Sequence, residues 1–267
     1  MRLPGTNLAT MCGRYASSRK PEDLVEEFEI DKVEAKEPLP PDYNVAPTKQ
    51  VYAVVEREPR DSDEDGAEQD LERQLRTVRW GLVPFWAKDP SIGNKMINAR
   101  TETVHEKPAY RRAFASRRCL LPADGYFEWY ATDRLTKAGK PVKQPFFIHP
   151  ADGGVMAMAG LYEIWKDPTR DEDDPARFLW TCTVLTTTAE DELGRIHDRM
   201  PMLVERDRWD SWLDPRVSDA DELKRLLVPA APGLLEAYPV STSVNNVRNN
   251  GPELVDPLET EPAGDPR

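Results

Sequence analysis

Cys12 stands in the string MCGRY, between Met11 and Gly13 and two residues before Arg14. A small neighbour leaves the side chain open to solvent and a nearby cation favours thiolate, so Cys12 reads as the reactive member of three cysteines. Cys119 and Cys182 lie inside apolar runs and read as small core residues. Glu128 stands in DGYFEWY, where a strand would put Tyr126, Glu128 and Tyr130 on one face and Phe127 and Trp129 on the other. A carboxylate walled by aromatics loses hydration, which raises its pKa and suits it to proton transfer. The plainer alternative is an edge-strand glutamate facing water. His197, in GRIHDRMP, ends a helical stretch that runs into Pro201. It could move a proton or simply complement a helix dipole. His105 and His149 read as structural or solvated. No C-x-x-C, H-E-x-x-H, G-x-S-x-G, P-loop or dinucleotide glycine pattern occurs, so neither a metal nor a cofactor is expected.

These groups need a scaffold, and the middle of the chain supplies strands. Residues 51–56, 75–83, 119–130, 145–149, 155–165 and 178–186 are rich in β-branched and aromatic residues and are bounded by Pro, Gly or Asp. Helices are fewer. Residues 21–29 begin with Pro21, Glu22 and Asp23, which suit a first turn. Ser218 with Asp221 predicts a capping-box start for 219–227. Residues 188–197 place Leu193, Ile196 and His197 at helical spacing, and Trp209, Trp212 and Leu213 read as core contacts. The sum is an α+β fold. We expect a single domain on a strongly curved, barrel-like mixed β-sheet with a few flanking helices.

A chain of 267 residues suffices for one core of this kind. No stretch approaches the ~20 apolar residues of a membrane helix, and residues 1–10 lack the apolar segment of a secretory signal. Three widely spaced cysteines speak for a reducing compartment, so a cytoplasmic protein, nucleoid-associated when on DNA, is expected. The formal charge is −12, which on its face argues against nucleic acid. Its distribution says otherwise. Segments 21–37, 56–74, 167–174 and 252–267 together carry −20, leaving +8 for the rest. Within 98–118 stand Arg100, Lys107, Arg111, Arg112, Arg117 and Arg118 against only Glu102 and Glu106. Segments 57–73 and 166–175 read as polar, acidic loops between strands.

Eight strings occur in one order: MCGRYA, YNVAPT (43–48), WGLVPFW (80–86), INARTET (97–103), CLLPADGYFEWY (119–130), QPFFI (144–148), IHDRMP (196–201) and VSTSVNNVRNNG (240–251). In that order they resemble the SRAP family, the SOS-response-associated peptidase-like proteins that shield abasic sites in single-stranded DNA. The resemblance runs from Met11 to about Val255. It implies a domain over 11–255, an N-terminal extension over 1–10 and an acidic, disordered tail over 256–267.

What the resemblance implies chemically is a covalent trap. The initiator Met is removed, and the amine and thiol of the resulting N-terminal cysteine close on the ring-opened aldehyde of an abasic sugar as a thiazolidine. An α-amine titrates near ~7.7–8, against ~10.4 for lysine, so a useful fraction is neutral at physiological pH. A thiol on the same residue then attacks intramolecularly. By this resemblance Cys12 is the nucleophile and Asn98 positions amine and sugar. Glu128 shuttles protons, and His197 assists at the sugar hydroxyl. Arg14, Arg100 and Arg199 are phosphate grips, and Pro47, Trp86 and Trp129 form an apolar platform for bases. The partner is single-stranded DNA with abasic sites, the protein acting as a monomer.

One departure stands out: ten residues precede Met11. We expect translation to begin at Met11. Two alternatives are cleavage of the extension and a protein unable to close the ring. The competing functions are a cysteine peptidase or autopeptidase using Cys12, and a non-catalytic single-strand binder if residues 1–10 are retained.

Overall fold

The computed structural model describes residues 12–35, 37–59, 70–189 and 193–258. The extension before Met11, most of the 57–73 loop and the end of the acidic tail lie outside these residues. From the N-terminus come β1 (Tyr15–Ser17), α1 (Pro21–Glu27), β2 (Lys32–Val33), β3 (Asp42–Val45), β4 (Gln50–Arg57), β5 (Glu72–Trp80) and β6 (Asn98–Arg100). Then follow α2 (Arg111–Ser116), β7 (Arg118–Ala123), β8 (Gly125–Leu135), β9 (Pro141–Pro150), β10 (Met156–Lys166) and β11 (Phe178–Thr188). The last are α3 (Leu193–Ile196), β12 (Arg199–Pro201), α4 (Trp209–Leu213), α5 (Ala220–Leu226) and β13 (Leu235–Pro239).

Five of these strands close on themselves. β11 pairs with β10, β10 with β7, β7 with β4 and β4 with β5, all antiparallel. A short parallel pairing of Thr181 with Arg79 and Cys182 with Trp80 joins β5 back to β11. The result is the α+β, mixed barrel that the strand pattern predicts, with β2, β6 and β12 added at its seams. Both faces of the barrel wall are covered, which is why its strands read as nearly unbroken apolar runs. In β4, Val51, Ala53 and Val55 fill the barrel, while Tyr52 and Val54 face outward to a layer containing Leu24 of α1 and Phe28 at its C-terminal end, Phe114 of α2 and Trp209 and Trp212 of α4. Trp209, Trp212 and Leu213 are core residues, as their spacing predicts.

Cys119 and Cys182 point into the barrel and are wholly buried. Burial pushes both thiols up. Cys119 faces Gly160 across the β7–β10 pair, and a Cβ on that glycine would stand 2.9 Å from the sulfur.

Two local expectations need correction. The run 119–130 is two strands, because the chain changes sheets at Asp124. Its carboxylate accepts from Ser18 N–H at 2.6 Å and takes Arg19 at 3.3 Å, pinning the corner. Beyond that corner β8 joins a second, five-stranded sheet in the order β13-β9-β8-β1-β3, whose Tyr15, Val45, Tyr126 and Ile148 join the core that fills the barrel. The cap of α5 is Asp219, which accepts from the N–H groups of Asp221 and Glu222, and not Ser218. Aspartate one residue later reaches the same free amides, so the sequence rule placed the helix correctly but chose the wrong oxygen.

Candidate active site

The second sheet brings Cys12 and Glu128 together. Tyr15 of β1 pairs with Tyr126 of β8, so the residues just before β1 lie along the Glu128 face. There the Cys12 backbone N–H donates to Glu128 Oε1 at 2.6 Å. Glu128 is 3% exposed, because β8 is an interior strand between β9 and β1. The edge-strand alternative is therefore excluded. Burial raises its carboxyl pKa, opposed by the charges of His197 and Lys143 and by hydrogen bonds from Cys12. Among the described residues its hydrogen-bond partner is Cys12.

Cys12 itself departs from expectation. It is 4% exposed, and its thiol pKa is raised well above the ordinary value, first by burial and then by the charge of Glu128. The charge of Arg199 opposes this, by less than burial and Glu128 raise it. The Sγ lies 3.8 Å from the Arg199 carbonyl oxygen, an acceptor for its proton. The backbone at Cys12 has φ 45°, in the left-handed region. For a residue with a Cβ this costs roughly 1–2 kcal/mol, a strain concentrated at one position of the site.

Asn98, at the start of β6, donates from Nδ2 to the Cys12 carbonyl at 3.4 Å, and Tyr110 OH bonds the Asn98 carbonyl at 3.3 Å. β6 pairs with β11, so the barrel wall fixes Asn98. His197 follows α3, and its Nδ1 accepts from Arg199 N–H at 3.0 Å. In the neutral ring this leaves the proton on Nε2. Asp198 Oδ1 also lies 3.0 Å from Nδ1, a contact that would bond only an imidazolium. Cys12, Asn98, Glu128 and His197 thus converge.

The three proposed grips are placed differently. Arg100 is exposed at the end of β6. Arg14 donates to Asn44 Oδ1 at 2.7 Å and the Val244 carbonyl at 2.8 Å, with its guanidinium 5.7 Å from the Trp129 ring. Arg199 is 8% exposed and chelates Glu102, with a 3.0 Å bond to Oε2 and further bonds to Thr186. That hydrogen bond holds the Glu102 carboxyl below its usual range. Trp129 donates its indole N–H to Asn245 at 2.7 Å and Pro47 is half-buried. Trp86 is half-exposed on the loop after β5. Arg118, counted in the basic cluster, belongs elsewhere. It is 2% exposed and donates to carbonyls of Phe114, Ala115, Trp212 and Asp214, tying α2 to α4.

Two contributors escape a reading by residue type. Glu102 looks like surface charge yet clamps Arg199. Asn44, wholly buried, accepts from Arg14 and donates to the carbonyls of Val244, Asn246 and Asn249, so the 242–249 segment is hung on one side chain. The signal was present: an asparagine inside a strand-like run, paired with an asparagine-rich string downstream. An apolar cavity of about 650 Å³ adjoins the site, walled by Tyr130, Phe146, Ile196 and Met200. Among the described residues no three His, Cys, Asp or Glu side chains cluster as a metal site, and no helix is long and apolar enough to cross a membrane.

Comparison with known proteins gives a consistent picture. The family model described as SOS response associated peptidase (SRAP) matches residues 11–247. The abasic site processing protein YoqW of Bacillus subtilis is 39% identical over 92% of this chain and 99% of its own. The abasic site processing protein YedK of Escherichia coli is 34% identical over 93% of this chain and 100% of its own. In the solved structure of a protein from Bacteroides thetaiotaomicron the same fold recurs, with TM-score 0.73 and 24% identity over 92% of this chain and 99% of that one.

Proposed function

This chain belongs to the SOS response associated peptidase family, whose relatives above are abasic site processing proteins, and we propose that it captures abasic sites in single-stranded DNA covalently through Cys12. The observation that carries this reading is the 2.6 Å contact between the Cys12 nitrogen and a buried glutamate of raised pKa. Once residue 12 is N-terminal, that nitrogen is an amine beside a carboxyl whose raised pKa favours its holding a proton. The amine attacks the sugar aldehyde, and Glu128 gives its proton to the departing hydroxyl, which leaves as water. An iminium remains. The thiol then adds to the same carbon, its proton passing to the Glu128 carboxylate, and the ring closes with one water lost overall. In this reading amine attack comes first, and the raised thiol pKa calls for base assistance in the second step. Asn98 fixes the Cys12 carbonyl, and His197, with Nε2 protonated, stands to donate toward the sugar. Arg100, Arg14, Trp86, Pro47 and Trp129 line the strand's route. In this arrangement Arg199 acts as the positioning group for Cys12 and His197 while Glu102 neutralises it.

The test is exposure of the protein to a single-stranded oligonucleotide carrying one abasic site. We expect an adduct that survives denaturation, with mass equal to protein plus oligonucleotide minus one water. For Cys12→Ala we expect no such adduct and largely intact non-covalent binding. A stable adduct from the alanine variant would overturn the thiazolidine.

The same contact favours a second activity, self-trimming. While residue 11 is attached, Glu128 is hydrogen-bonded to the peptide nitrogen that would leave if the Cys12 thiol attacked the preceding carbonyl. Intact mass decides it: a full-length chain that matures to one beginning at Cys12, but not as Cys12→Ala or Glu128→Gln, supports trimming.

A further inference from the structure

The loop after β5 exposes two aromatic residues consecutive in sequence, Phe85 at 49% and Trp86 at 51%, where most residues of the 81–87 stretch are buried. The loop is rigidly seated. Gly81 has φ 123°, and a Cβ there would fall 2.6 Å from the Gly93 carbonyl, so two glycines meet backbone to backbone at its base. Leu82 N–H bonds the Met96 carbonyl at 3.1 Å, Val83 N–H the Thr181 hydroxyl at 2.9 Å, and the Trp165 indole the Ala87 carbonyl at 2.7 Å. A loop pinned on both sides has no packing reason to leave two large rings in water. Single exposed apolar residues are ordinary, but two consecutive exposed aromatics on a pinned loop point to a contact surface.

That surface is capped by a cation. The Arg112 guanidinium sits 4.6 Å over the Phe85 ring, and Arg112 is exposed and bonded to no carboxylate among the described residues. Arg111 and Lys107 are exposed close by in sequence, and Lys88 and Lys95 are exposed and line a shallow pocket with Trp86. The neighbouring Asp89 carboxylate is turned to the Ser91 N–H. The patch is also joined to the reacting residue. Arg112 stands two residues after Tyr110, whose hydroxyl bonds the Asn98 carbonyl, and Asn98 bonds the Cys12 carbonyl.

Resting on the abasic-site reading, we propose that Phe85, under Arg112, is a base-stacking position for an undamaged nucleotide flanking the lesion, continuous with Trp86, and that Arg112 bridges from the stacked base to the next phosphate. Aromatic rings interleaved with guanidinium groups are the sequence-tolerant way to hold a single strand, since every base has a π-face. A planar guanidinium can lie on a ring and still direct its edge to phosphate oxygens. Phe85 is a binding residue here and takes no part in the bond-forming steps.

The experiment measures adduct formation against oligonucleotide concentration for the wild-type protein, Phe85→Ala, Phe85→Trp and Arg112→Gln. A set of abasic strands is shortened one nucleotide at a time from either end. With long strands, Phe85→Ala should need roughly five-fold or more DNA for half-maximal rate, with the maximal rate unchanged. Phe85→Trp should restore wild-type behaviour. Arg112→Gln should lower both affinity and its salt dependence, by about one phosphate contact. On shortening from one end only, the wild type should fall to the Phe85→Ala level at the length where the stacked nucleotide is lost. Equal concentration dependence for wild type and Phe85→Ala at every length would overturn the proposal while leaving covalent capture intact. Absence of any adduct from the wild type would instead overturn the reading on which it rests.

Discussion

The barrel has two ends, and each buries glutamates, but it treats them differently. At the end away from Cys12, Glu163 is 4% exposed and held by Arg117 at 2.9 Å, and Glu56 is held by Arg73 at 2.6 Å. At the Cys12 end, Glu128 is as deeply buried and its bonded partner is a peptide nitrogen. A raised pKa does not by itself separate these roles, because burial raises Glu56 as well, against the pull of Arg73. What separates them is the partner. A buried acid matched to a guanidinium is a brace, whereas in the proposed reaction the acid matched to the Cys12 nitrogen holds and returns a proton.

Exchanging carboxylate for amide at both ends is the strongest way to break this comparison. Glu128→Gln should slow adduct formation by roughly 10²–10⁴-fold, the range of a lost acid–base group, with folding intact or improved. Glu163→Gln should leave the adduct rate within about two-fold and lower stability by roughly 1–3 kcal/mol, because Arg117 keeps its charge and loses its counterion. Single-turnover kinetics and thermal melts read the two effects separately. If Glu128→Gln melted earlier and crosslinked normally, Glu128 would be another brace.

Acid–base titration of stability sharpens the contrast. The folded Glu128 carboxyl has a raised pKa, so between its ordinary value near ~4.3 and that raised value the folded chain holds a proton the unfolded chain has lost. Stability contributed there falls as pH rises through this window. Glu102, lowered by Arg199, behaves oppositely: its contribution is present above the ordinary value and is lost as pH falls through the lowered one. In melts across pH, Glu128→Gln should flatten the loss that occurs within that window as pH rises, and Glu102→Gln the loss that occurs below the ordinary value as pH falls. The same slope in wild type and Glu128→Gln would mean that the carboxyl is solvated in the folded protein.

Much of this was legible in the sequence, for physical reasons. Strands covered on both faces must be apolar throughout, so residues 51–56, 75–83 and 178–186 announce a closed or sandwiched sheet. Cys119 and Cys182 were recognisable as core because their neighbours are apolar. At Cys12, Gly13 and Arg14 suggest openness and positive charge, whereas the sheet buries the residue beside an acid. The same limit applies to the arginines. Arg100 and Arg118 look alike in sequence, yet one ends a strand in solvent and the other fills its donors with the carbonyls of two helices. Local composition reports charge, and only the tertiary contacts report whether that charge is already spoken for.

The smallest expected effects test that last distinction. Arg57, at the barrel end away from Cys12, lies 5.1 Å from the Trp180 ring, which also carries Arg76 at 4.3 Å and stacks on Tyr162. Arg100 is exposed beside Asn98. Arg57→Ala should cost about 0.5–1 kcal/mol of stability through the lost cation–π contact, and leave single-strand binding and its salt dependence unchanged. Arg100→Ala should leave the melt unchanged, weaken non-covalent binding several-fold, and reduce the slope of log affinity against log salt by about 0.7, the share of one phosphate on a single strand. Net charge changes identically in the two variants, so any long-range electrostatic penalty is common to both. A difference between them therefore measures place rather than charge, and matching salt slopes would mean that the strand does not run past Arg100.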